Sequence, residues 1–160
     1  MTVSVDSTET VEPPEHQKEA PIMSFETSVT AEMADNIVSA VRTSLGDSLR
    51  SIVYFTPSAF DVLYTRRDLY ETAERTAEAK SQLVDFERTG FAEIPVRTAL
   101  AGDASGSDIG PYEFTVRVHT DGFVVRVIQG DAGVIVTTDD MDVTAFEEAA
   151  TAIGRLLREA

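Results

Sequence analysis

Cysteine is absent from the 160 residues, which excludes disulfides, thiolate nucleophiles and cysteine-ligated metals. Lysine is scarce: Lys18 and Lys80 are the two among 13 basic residues, set against 28 Asp and Glu. No apolar run approaches the ~18 residues of a membrane span, and the N-terminus lacks the basic-then-apolar order of a secretory signal. A cytoplasmic protein that touches no membrane is the economical expectation. A formal charge of -15 with no basic stripe also argues against nucleic acid, whose phosphates require a basic face.

What is present is carboxylate. Such an excess keeps a chain hydrated and self-repelling where salt screens fields to ~3 Å at molar ionic strength, so it points to a salt-rich medium. Arginine as the dominant base fits, because guanidinium is weakly hydrated and makes forked contacts to carboxylates. Residues 1–23 carry five acids and one base, leaving 23 acids and 12 bases for the other 137 residues. The acidity therefore belongs to the folded part. Residues 1–23, polar and Pro-containing, are expected to form a disordered acidic tail, with Met23 an alternative start. Residues 24–160, in a chain that is 42% hydrophobic, suit a single domain.

From Thr30 onward Met33, Ile37, Val41 and Leu45 recur every fourth residue, an amphipathic helix over 31–45 capped by Thr30 and stopped by Gly46. SIVYFTPSAFDVLYT then reads as a hairpin around Thr56-Pro57-Ser58-Ala59. It places Val53, Phe55, Phe60, Val62 and Tyr64 on one face and Ile52, Tyr54, Asp61 and Leu63 on the other. A second helix is expected from Leu69 to about Arg88, with Asp68 and Glu71 as a capping box and Gly90 as its end. Residues 91–110 read as a connection without structure. A three-strand meander follows, with turns at Asp121-Gly122 and Gly130 to Gly133. The closing helix carries Val143, Phe146, Ala150, Ile153 and Leu157 on one stripe, capped by Asp140 or Asp142.

Helix, hairpin, helix, meander, helix is an α+β order that gives one five-stranded antiparallel sheet with helices on both faces. That order resembles the roadblock/LC7 family within the profilin-like and longin-like group. The resemblance implies a middle helix over one face and the first and last helices over the other. It also implies a non-enzymatic adaptor or regulatory module working through a protein partner or a homodimer, as roadblock-like proteins scaffold complexes or modulate small GTPases. The stretch SIVYFTPSAFDVLYTRRDLY is in addition similar to a family of small acidic haloarchaeal proteins of unassigned function.

Five residues stand out as binding candidates: Arg117, Arg126, His119, Tyr54 and Leu63. A turn at Asp121-Gly122 sets Arg117 directly opposite Arg126, where like charges repel. Carboxylates from the second helix, Glu71, Glu74, Glu78 or Asp85, are the favoured neutralisers, and an anionic ligand or acidic partner is the alternative. His119 has the ~6.5 pKa of an ordinary imidazole to offer a general base, yet no nucleophile or oxyanion donor accompanies it, so no enzyme is expected. A sensory domain of PAS or GAF type is the second functional reading, with a small-molecule pocket between sheet and middle helix lined by Tyr54, Leu63, Arg117 and His119. Ala73, Thr76 and Ala77 are small enough to let that helix serve as a homodimer seam. Asp139, Asp140 and Asp142 suit helix capping better than a hard cation, and Gly102 to Gly110 lacks the lysine of a phosphate cradle. Neither metal nor cofactor is implied.

Overall fold

The structure, a computed structural model, describes residues 24–69, 72–101 and 108–159. The expected tail, Glu71 and most of the Gly102 to Gly110 stretch lie outside the described residues. Helix α1 (Ala31–Leu45) leads through a single 3-10 turn into strands β1 (Leu49–Phe55) and β2 (Phe60–Thr65). Helix α2 (Ala73–Glu87) is followed by the short helices α3 (Thr89–Ala92) and α4 (Ile94–Ala101). Strands β3 (Thr115–His119), β4 (Gly122–Gln129) and β5 (Ala132–Thr138) precede the closing helix α5 (Val143–Glu159). The five strands form one antiparallel sheet in the order β2-β1-β5-β4-β3.

Helix α1 has the predicted bounds, with Thr30 accepting from the Met33 N–H and Gly46 at φ 59 ending it. Its stripe of Ala34, Ile37, Val41 and Leu45 packs with Phe146, Ala150, Ile153 and Leu157 of α5 over Ile52, Tyr54, Val125, Val134 and Val136. Ile37, Val41, Phe146 and Ile153 are fully buried, each contributing about 1.5–3 kcal/mol to folding. Val143, placed on that stripe by its spacing, is instead 58% exposed, because Asp142 caps the helix one residue before it. The other sheet face carries Val53, Phe55, Val124 and Ile135 against Val84 of α2. The sheet is thus covered on both faces as expected.

Four local expectations are corrected. Helix α2 starts at Ala73 with Thr72 as its cap, since Asp68 is held by Arg66 Nε at 2.8 Å. The first hairpin keeps its predicted turn, but a bulge between Ile52 and Val53 shifts the register so that Ile52 pairs with Tyr64. Tyr64 thereby joins the face packed under α1. The β3–β4 turn is Thr120-Asp121, and Gly122 lies within β4 opposite His119. A Cβ there would stand 2.6 Å from the Thr138 carbonyl oxygen, so this glycine serves strand packing. Residues 91–101, expected to lack structure, are helical apart from the turn residue Glu93. Pro95 sits at the second residue of α4, where its missing N–H is not needed.

Candidate functional site

The buried stripe of α2 is Thr76, Lys80, Val84 and Glu87, and two of those four side chains are ionisable. Glu87 is fully buried, as is Arg126, the largest side chain in the interior. Arg126 Nη1 meets Glu87 Oε1 at 3.1 Å, and its Nη2 meets Glu93 Oε1 and Thr115 Oγ1, both at 3.0 Å. Arg117 Nε donates to the second oxygen of Glu87 at 2.8 Å. Burial opposes the Arg126 charge, but Tyr112, Glu87 and Glu93 outweigh it and keep the guanidinium protonated. A fully buried carboxylate therefore bridges two arginines of neighbouring strands.

This network also fixes α3 and α4. Arg97 Nη1 reaches Glu93 Oε1 at 2.9 Å, and its guanidinium lies over the Tyr112 ring at 4.4 Å. Gly90 sits against Arg126: a Cβ on it would come within 2.6 Å of Cζ. That glycine does not stop α2; it admits the guanidinium. Arg88 Nε bonds the Thr56 carbonyl at 3.0 Å and Phe91 meets Phe55 edge-on at 5.4 Å, so the first hairpin is tied to the same layer.

Glu87 brings Arg117 and Arg126 together, but the five predicted site residues do not form one site. The register places Arg117 opposite Val124 and Arg126 opposite Thr115, which makes the two arginines diagonal neighbours instead of a facing pair. Among the described residues their carboxylates come from Glu87 and Glu93, and not from Glu74, Glu78 or Asp85. Tyr54 is buried and Leu63 half-buried in the layer under α1, so the sheet separates both from Arg117. The pocket drawn from all four residues is therefore not formed. Burial raises the Tyr54 phenol pKa. His119 is exposed at the end of β3 and lines a cleft of about 350 Å³ with Arg50, Lys80, Leu83, Asp121 and Thr137.

Thr76 belongs to the buried stripe, leaving Ala73 and Ala77 exposed, so the three do not form one outward seam. Asp139 is clamped by Arg50 at 2.9 Å and Arg66 at 2.6 Å, while Asp142 accepts the Ala145 N–H. Hydrogen bonds from Arg66, then Arg50, hold the Asp139 carboxyl below the usual carboxylate range.

The β3 edge is the other notable surface. Val118 is 72% exposed there, and Phe86 of α2, 48% exposed, lies 4.4 Å beneath the Arg117 guanidinium. Seven large hydrophobics are exposed among the described residues, and Phe86, Val96, Leu100, Ile109 and Val118 fall between α2 and the end of β3.

Residues 35–158 match the family model described as Domain of unknown function (DUF7522). The chain belongs to that family. No curated protein matches it. Among solved structures it is similar to the gliding protein MglB of Thermus thermophilus, at 13% identity and a TM-score of 0.53, covering 86% of this chain and all of that one. An MglB structure with a tetrameric arrangement is similar at 15% identity and a TM-score of 0.50, over 86% of this chain and 98% of the other. The DUF7522 domain of this chain thus has the roadblock-like fold, as the order of elements implied.

Sequence reading missed Glu87, Glu93, Lys80 and Arg50 as members of sites. A signal existed for two of them. Thr76, Lys80, Val84 and Glu87 repeat at helical spacing, and placing polar residues on that stripe marks buried ion partners. Glu93 carried no signal, because it lies in the stretch taken to be unstructured.

Proposed function

We propose that the chain is a non-enzymatic protein-interaction module that pairs with a second copy of itself along the β3 edge. The observation that carries this reading is the character of that edge. An edge strand presents unpaired N–H and C=O groups, and proteins that stay single blunt such edges with charge, proline or cover. Here β3 reads Thr-Val-Arg-Val-His, and its one formal charge is tied to Glu87 at 2.8 Å. Val118 and Phe86 add exposed apolar surface beside it, of the kind that marks interaction sites. The roadblock-like fold is consistent with such a role, and the tetrameric arrangement of one MglB structure is an instance of this fold assembling.

The medium proposed is salt-rich, in keeping with the acidic surface. There the apolar part of an interface persists while surface ion pairs are screened. Sedimentation equilibrium of the full chain in molar potassium chloride tests the reading. The expected result is a dimer that Val118→Glu converts to monomer without loss of helix signal. A monomer at every concentration would refute it.

A further inference from the structure

The open edge of β3 has a register built into it. Two-residue turns at Thr120-Asp121 and Gly130-Asp131 close the β3–β4 and β4–β5 hairpins. The pair flanking such a turn exchanges hydrogen bonds, and bonded pairs then alternate along the ladder. His119, Arg117 and Thr115 therefore direct their backbone groups to Gly122, Val124 and Arg126 of β4. The second turn sets the same phase independently. Gln129 and Ala132 flank it, so Gln129, Val127 and Val125 bond β5 and leave Arg126 and Val124 to bond β3. Val116 and Val118 are left with N–H and C=O groups aimed outward from the sheet.

Antiparallel pairing with a second copy needs those outward groups to meet. A two-fold axis beside Arg117 overlaps the whole of β3 with its counterpart and lets Val116 and Val118 of one copy bond Val118 and Val116 of the other. An axis at Val118 runs each strand into the other's Thr120-Asp121 turn, and one at Val116 sets Val118 against Phe114, before β3 begins. Full overlap has one cost: it places Arg117 directly across from Arg117, where like charges repel. Glu87 removes that obstacle. Its Oε2 accepts from Arg117 Nε at 2.8 Å, and Phe86 lies 4.4 Å beneath the guanidinium, so the charge is matched and drawn onto α2. Resting on the pairing reading above, we propose that the two copies meet with Arg117 facing Arg117, and that Glu87 is the positioning residue that permits this register.

Because the chain has no cysteine, single cysteines in the full chain report the register without background. Facing residues of a non-hydrogen-bonded pair stand about 4.5 Å apart at Cα, within disulfide reach. Under mild oxidation Arg117→Cys is expected to link to itself. Val116→Cys and Val118→Cys should not self-link, yet a mixture of the two should cross-link. Self-linking by either valine position in place of Arg117→Cys would overturn the register and leave edge pairing intact. Sedimentation equilibrium in molar potassium chloride tests Glu87. Glu87→Gln should weaken association about fivefold or more, the upper size of a like-charge strand pair, and adding Arg117→Gln should restore it. Arg117→Gln alone, at a half-exposed position, should pair at least as tightly as the parent chain. A loss that Arg117→Gln does not restore, or no loss at all, would overturn the positioning role. A parent dimer in which none of the three cysteines links would put the contact elsewhere and overturn the register, and a monomeric parent would sink the pairing reading and the register together.

Discussion

Glu87 shows how one residue governs a layer. Its two oxygens meet Arg117 and Arg126, and deleting it leaves a buried guanidinium short of its one fully buried counter-charge among the described residues. Glu87→Ala is expected to cost about 3–5 kcal/mol, the cost of breaking a buried pair, as read by urea denaturation. Arg117→Gln removes one charge-assisted bond at a half-exposed position and should cost about 1.5 kcal/mol. A small effect of both would mean that the network is not formed. Gly90→Ala tests the same network from the other side. Its Cβ would collide with Arg126 and Ile128, so a loss of about 1–3 kcal/mol is expected from overpacking, although alanine ordinarily favours a helix.

At the scale of elements, the legible parts were those set by strong local periodicity. Helix α1 could be read with both ends because Thr30, the four-residue repeat and Gly46 agree. Helix α5 was read apart from its first residue, because its stripe is continuous and Asp142 is a strong cap. The hairpin registers were less legible. The β3–β4 turn slipped because Gly122 was assigned to turn chemistry when its lack of a side chain serves close approach to Thr138. The slip changes which residues of β3 and β4 face one another by two positions, which keeps every residue on its face, so Arg117, Arg126 and His119 were still grouped correctly on one side of the sheet. The bulge at Ile52 and Val53 has no local signal and moved Tyr64 across. Of the candidate site, the need for carboxylates beside the arginines was readable from charge. Their identity was not, since it depends on where α2 ends and how α3 folds back. The strand ends meet at Asp139, which gathers Arg50 from β1 and Arg66 from beyond β2. Because its folded pKa is depressed, its contribution is present above the unfolded value of ~3.9 and is lost as pH falls through the folded value. Asp139→Asn should therefore lower stability at neutral pH and shrink the difference from the parent chain at low pH, as followed by thermal melts across that range. An unchanged gap at low pH would refute this linkage.

For the whole molecule, the folding layers divide the labour. The face under α1 and α5 is apolar and accounts for most of the buried core. The face under α2, α3 and α4 is smaller and carries Lys80, Glu87 and Arg126 inside it. Polar interiors of that kind set geometry more than they add stability, and what they position here is the layer flanking the β3 edge. None of the described helices is long and apolar enough to cross a membrane. Hydrogen exchange of the outward-facing β3 amides, followed as a function of protein concentration in molar potassium chloride, tests the pairing of two copies along that edge most directly. Protection that rises with concentration in the parent chain and is absent in Val118→Glu is the predicted result. Exchange of those amides at one unprotected rate across all concentrations would contradict it.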